Sequence, residues 1–252
     1  MSDAEVAPAV VSAIEAGYRH IDTAARYGNE RGVGQGIRDS GVRREELFVT
    51  TKLDGPYQGN DRAIAGLDES LQRLGLGYVD LLLIHWPLPQ GDQFVSTWKT
   101  FEKLVSAGKA CSIGVSNFKP AHIDRLLAET TIRPTVNQIQ LNPHVTRPEQ
   151  RVYNKKQEII TVSWSPLAPG TDLLDDPMLA VLAAKYGKTV GQIVLRWHIE
   201  LGLVAIPKSA NPLRIAQNID IFDFTLTGDE VKAISSLDTG DDLGVDSDTS
   251  GH

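Results

Sequence analysis

Six apolar stretches of this 252-residue chain each stop on a polar residue able to do chemistry, and this layout constrains the fold more than any other feature. Leu47 to Thr51 stops at Lys52, Val79 to Ile84 at His85, and Cys111 to Val115 at Ser116-Asn117. Val136 to Leu141 stops at Asn142, Ile159 to Trp164 at Ser165, and Gly202 to Pro207 at Lys208-Ser209. Short runs rich in Val, Ile and Leu, without strict alternation, read as strands of a parallel sheet buried on both faces. Polar residues at the carboxyl ends of such strands are where a (β/α)8 TIM barrel builds its active site. The length is also close to the ~250 residues of one such barrel. An α/β enzyme of the (β/α)8 class is therefore expected.

Seven strands are predicted, near 19–23, 47–52, 79–85, 111–116, 135–141, 159–164 and 202–207. Helical patterns alternate with them. Val6, Val10 and Ile14 form the apolar row of a first helix, with Asp3 as its expected cap. Further helices are predicted near 30–39, 60–74, 94–107, 120–130, 147–156, 177–186, 190–200 and 212–218. A last one should start at Thr227, with Glu230 completing a capping box. This regular alternation leaves no room for a domain boundary, so residues 1–252 are expected to form one domain. Its acidic, small-residue tail, 239–252, is expected to be mobile. A closed barrel needs eight strands, and this sequence opens with a helix. The first barrel strand is accordingly expected to be missing, its place lying upstream of Met1.

A formal net charge of −7 argues against nucleic acid and against an anionic membrane as partners, since both need clustered cations. No apolar stretch approaches the ~18 residues of a membrane span, and the first residues lack the pattern of a signal peptide. A cytoplasmic monomer is the expectation. The one cysteine, Cys111, excludes an intramolecular disulfide and, lying in an apolar run, is expected to be a packed core thiol. No cluster of His and Asp has metal-ligand spacing, so no metal is expected and a metal hydrolase is disfavoured.

Asp22, Tyr27, Lys52 and His85 come from three consecutive strand ends. A tyrosine can donate its phenolic proton, but a pKa near ~10 makes it a poor acid at neutral pH. A neighbouring cation stabilises the phenolate and corrects this. Lys52 can be that cation, Asp22 can keep it charged in a partly buried place, and His85 can hydrogen-bond a substrate carbonyl. The four together describe proton delivery beside a developing oxyanion. Taken singly, each has a structural alternative: Asp22 as a loop cap, Lys52 as a snorkelling strand end, His85 as a core histidine.

The motifs carrying these residues resemble those of the aldo-keto reductase family. They are Gly17 to Ala24 with Tyr27-Gly28-Asn29-Glu30, Thr50 to Leu53, Asp80 to Pro87, and Ser112 to Phe118. Val136 to Ile139, Trp164 to Leu167 and Ile206 to Ser209 complete the set, so the similarity covers about residues 3 to 240. It is nearest the bacterial branch that includes 2,5-diketo-gluconate reductases. The resemblance implies a barrel that binds NADPH and reduces a small aldehyde or ketone, with Tyr27 as general acid in a tetrad with Asp22, Lys52 and His85. It assigns the carboxamide of the cofactor to Ser116, Asn117 and Gln138, and nicotinamide stacking to Trp164. Ser165 and Leu167 also fall on cofactor-binding positions, and Trp86 on a substrate-binding one. Lys208, Ser209 and Arg214 match the grip on the adenosine 2′-phosphate, and Gln217 and Asn218 fall near the adenine. Asn211 stands where some relatives carry a further arginine.

The family normally begins with a hairpin and a Gly-rich strand, which the sequence does not show. The competing expectation is thus a nicotinamide-binding protein with little or no turnover.

Overall fold

The computed structural model describes residues 1–240 and 245–252. Helices and strands alternate in the predicted order. They run α1 (Asp3–Glu15), β1 (His20–Asp22), α2 (Glu30–Asp39), β2 (Phe48–Leu53), α3 (Asn60–Leu74), β3 (Val79–Ile84), α4 (Phe94–Ser106) and β4 (Ala110–Ser116). There follow α5 (Pro120–Glu129), β5 (Val136–Gln140), α6 (Pro148–Lys156), β6 (Ile160–Trp164), α7 (Pro177–Tyr186), α8 (Val190–Glu200), β7 (Val204–Ala205), α9 (Pro212–Ile219) and α10 (Gly228–Ser235). The strands lie in one sheet in the order β1-β2-β3-β4-β5-β6-β7. β1 to β4 pair in parallel, as do β6 and β7, with Asp22 beside Thr50, Lys52 beside Leu83, Ile84 beside Val115 and Val162 beside Val204. Among the described residues there are seven strands, the number counted from the sequence. β7 shrinks the most, to two residues, and Pro207 beyond it supplies no amide hydrogen to extend a ladder.

Within the chain two compact units are described separately: residues 1–137 with 246–252, and residues 138–245. In the first, β3 is buried at every residue but the half-buried Asp80, and Trp98, Phe101 and Leu67 pack out of reach of solvent. Each such side chain contributes roughly 1.5–3 kcal/mol through burial. In the second, Trp197, Leu179, Ile193, Val194 and Ile234 make a separate apolar core.

Two local devices bring the helices close. The glycines of α2 leave no side chain between helices: a Cβ on Gly32 would lie 2.4 Å from the Asp3 carbonyl oxygen, and one on Gly34 would lie 1.9 Å from that of Leu74. A buried ion pair then joins α2 to α3, Arg73 Nε donating to Glu30 at 2.7 Å, while Thr51 Oγ1 donates to the same carboxylate at 2.6 Å.

Two sequence expectations are corrected. The cap of α1 is Ser2, whose amide and hydroxyl donate to Glu5 at 2.8 and 3.0 Å. Asp3 is instead the first helical residue, and its carboxylate accepts from the Gly32 amide at 2.7 Å. Cys111 is exposed, not packed: it stands at the amino-terminal end of β4, where alternate side chains still face outward before the strand becomes buried on both faces at Ile113. The Thr227–Glu230 capping box forms as predicted.

Residues 241–244 of the tail expected to be mobile lie outside the described residues. Beyond them, Lys119 Nζ pairs with Asp246 and Asp248 at 2.5 and 2.6 Å, and His122 Nε2 meets Asp248 at 3.0 Å. Among the described residues no single helix is long and apolar enough to cross a membrane.

Candidate active site

The carboxyl ends of β1, β2 and β3 carry Asp22, Lys52 and His85 into one place, and the loop after β1 adds Tyr27. That loop is a short helical turn, Ala25–Tyr27, closed by Gly28 in the left-handed region at φ 67°. A residue without Cβ enters that region at little cost, and the turn leaves Tyr27 half exposed at 50%. Lys52, by contrast, is 1% exposed. Its Nζ donates to the Asp22 carboxylate, to the Thr23 carbonyl oxygen at 3.0 Å and to the Tyr27 hydroxyl at 3.4 Å. Burial pushes the Lys52 ammonium down. The charges of Asp22 and Tyr27, and the hydrogen bonds to both, outweigh it and hold Lys52 above the ordinary lysine value. The site therefore places an ammonium within hydrogen-bond reach of the phenol.

His85 faces Tyr27 edge-on, ring centres 5.9 Å apart. Burial first, then the nearby Lys52, His252 and Arg26, push its pKa down to about 3, so the imidazole is neutral at physiological pH. Its Nδ1 and the Nε1 of Trp86 are buried without a hydrogen-bond partner among the described residues. Buried polar atoms left unpartnered cost energy, so both are available to a polar ligand. Gln58 fixes Trp86 by donating to its carbonyl oxygen at 2.7 Å.

The end of β4 is held as firmly. Asn117 is left-handed at φ 64°, a conformation asparagine tolerates, and its amide donates to the His85 carbonyl oxygen at 3.0 Å and to Ser116 Oγ at 3.1 Å. Asn137, fully buried in β5, clamps the same loop by donating to the Phe118 carbonyl oxygen at 2.8 Å. Its role was not read from the sequence, although a polar side chain inside an apolar strand was a visible signal.

In the second unit, Gln138 is buried on β5, while Trp164, Ser165 and Leu167 are half-buried at and beyond the end of β6. Ser165 is left-handed at φ 49°, a strained conformation for serine and common at functional positions. Lys208 and Arg214 are exposed and Ser209 half-buried around the amino terminus of α9, with Gln217 and Asn218 half-buried near its end. Asn211 is the cap of α9: its Oδ1 accepts from the Arg214 amide at 3.1 Å, and its own amide donates to Ser209 Oγ at 3.1 Å. The positive end of a helix dipole flanked by Lys208 and Arg214 suits an anion.

The model of the aldo/keto reductase family matches residues 1–239. The match starts at residue 1 and gives no support to the expectation of a missing hairpin and first strand. An aldo-keto reductase from Mycolicibacterium smegmatis is 51% identical over 238 residues, covering 94% of this chain and 86% of the relative. Methylglyoxal reductase DkgA from Escherichia coli K12 is 47% identical over 251 residues, covering 99% and 90%. A crystal structure of a Bombyx mori aldo-keto reductase in complex with NADP is 46% identical, with a TM-score of 0.89 and coverage of 94% and 84%.

Proposed function

The chain belongs to the aldo/keto reductase family, and from that premise we propose that it reduces a small aldehyde or ketone to the alcohol with NADPH, Tyr27 delivering the proton. The observation that supports this most strongly is the contact of a fully buried, charged lysine with the hydroxyl of a half-exposed tyrosine. The phenol can reach a substrate, and the ammonium beside it stabilises the phenolate left after proton transfer. Asp22 keeps Lys52 charged where burial alone would neutralise it. His85 stays neutral and offers a hydrogen bond to the carbonyl oxygen, lowering the cost of charge that develops there. Trp86 lines the same place and is read as a substrate contact.

The residues present fit a nicotinamide cofactor, which would supply the hydride. The fixed amide and hydroxyl of Asn117 and Ser116 are of the type that a carboxamide needs, because it both donates and accepts. Gln138 is assigned to the same group, Trp164 to stacking, and Ser165 and Leu167 to the remaining contacts. Lys208, Ser209 and Arg214 at the α9 terminus are assigned to the 2′-phosphate, which underlies the preference for NADPH over NADH, and Gln217 and Asn218 to the adenine. The sheet is read as belonging to the (β/α)8 class, and the protein as a cytoplasmic monomer.

The test is a steady-state assay following NADPH absorbance with methylglyoxal and a panel of aldehydes and ketones. Fluorescence titration of both cofactors goes with it. NADPH-dependent turnover is expected. Arg214→Ala should weaken NADPH binding at least tenfold and NADH binding little. Equal affinity of the parent for both cofactors would remove the phosphate assignment.

A further inference from the structure

Asp54, His85 and His252 come from positions far apart in the sequence, yet one ligand atom from each lies within 4.8 Å of the others. All three belong to the first unit. We propose that they form a binding site for a divalent transition-metal ion of the zinc type, and that filling it blocks carbonyl reduction. Two imidazoles and a carboxylate are a standard donor set for zinc, leaving a fourth position for water. A tetrahedral shell at ~2.1 Å needs donors about 3.4 Å apart, so closing this cluster calls for a shift on the order of 1 Å.

The local structure favours that arrangement in two ways. First, ring nitrogens are available. His85 Nδ1 and His252 Nε2 are both buried and lack a hydrogen-bond partner among the described residues, and His85 as a whole is only 7% exposed. The rings stand edge to face with centres 4.9 Å apart. Second, the donors are held in place by the chain around them. The Gly55 amide donates both to Asp54 Oδ1 at 3.0 Å and to the main-chain oxygen of His252 at 3.2 Å, so one backbone group ties together the residues that carry two of the three ligands. Upstream of His252, Asp246 and Asp248 are fastened to Lys119, and the Asp248 carbonyl oxygen accepts from Gln90. Arg26 lies 3.8 Å from Asp54 and opposes a cation. Its side chain is 54% exposed and free to swing into solvent.

The inhibitory half of the proposal rests on the reductase reading, because it follows from removing His85 from the substrate carbonyl. The binding half does not. The experiment separates the two. Zinc chloride is titrated calorimetrically into the cofactor-free full chain carrying Cys111→Ser, since the exposed thiol is a competing zinc ligand. One equivalent should bind. His252→Ala in the same background should weaken that affinity at least tenfold, and Asp54→Asn should also weaken it, with melting curves confirming that both variants fold. In the NADPH assay, His252→Ala should keep turnover in zinc-free buffer and need at least tenfold more zinc for half-inhibition. Zinc affinity unchanged in both variants, or no equivalent bound by the parent, would overturn the site. Zinc binding lost in His252→Ala, with zinc inhibition unchanged, would overturn the inhibitory role. If no carbonyl is turned over at all, calorimetry still decides the site while the reductase reading fails by itself.

Discussion

Asp22→Ala is expected to damage stability as much as chemistry, and the structure sets the size. Lys52 is 1% exposed and Asp22 8% at the side chain, so their ion pair is shut away from water. Removing the carboxylate leaves an ammonium held only by the Thr23 carbonyl oxygen at 3.0 Å and the Tyr27 hydroxyl at 3.4 Å. Breaking a buried pair from one side typically costs about 3–5 kcal/mol, because the surviving charge has no counterion and no water. For a chain of this size each 1 kcal/mol moves Tm by roughly 2–4 °C, so a drop of roughly 6–20 °C is expected. Lys52→Met destabilises too, by stranding Asp22. In Asp22→Ala/Lys52→Met neither charge remains, and the double variant should be more stable than the sum of the singles predicts, by about 2 kcal/mol. Urea unfolding of the four proteins gives the full cycle. Single-variant losses that add to within about 0.5 kcal/mol, or an unchanged Tm for Asp22→Ala, would refute a buried, coupled pair.

Other consequences are as specific. His198 is fully buried and burial pushes its pKa down to about 4, against 6.5 for an ordinary histidine. The unfolded chain then binds a proton that the folded chain refuses, so stability is lost as pH falls from 6.5 towards 4. The loss amounts to about 2 kcal/mol at pH 5 from this group alone. Urea unfolding at pH 7 and 5 should show it, and His198→Phe should flatten the slope. Gly34→Ala forces a methyl to within 1.9 Å of the Leu74 carbonyl oxygen. Despite the better helix propensity of alanine, we expect a loss of about 1–3 kcal/mol in denaturant unfolding.

The strands were legible because each is a short Val/Ile/Leu run cut off by polar residues, and the observed ends fall within a residue or two of the predicted ones. The tetrad residues were legible for the same reason: a strand end fixes both where a side chain is and which way the chain turns next. Contacts between distant segments left no such trace. Nothing in the spacing of Glu30, Thr51 and Arg73 announces a buried triad, and nothing links His252 to His85, because no periodicity connects them. The exposure of Cys111 is hidden from the sequence for a related reason. An apolar run says that a strand is buried, but not at which residue the sheet's solvent-facing edge gives way to the core. Ser2 and its neighbour Asp3 are indistinguishable as caps from sequence, since both residue types cap well and only the backbone decides between them.

The central claim is that Tyr27 delivers the proton with Lys52 beside it, and Tyr27→Phe tests it most directly. This substitution removes one hydroxyl from a half-exposed ring and leaves Lys52 its bonds to Asp22 and Thr23. Carbonyl reduction should fall at least a hundredfold, the lower end of what a positioned general acid supplies, ~10²–10⁴-fold. NADPH affinity, measured by fluorescence titration of the same sample, should stay within about twofold of the parent if the hydroxyl serves only the chemical step. Turnover above a tenth of the parent, with the cofactor still bound, would contradict the account and require another acid.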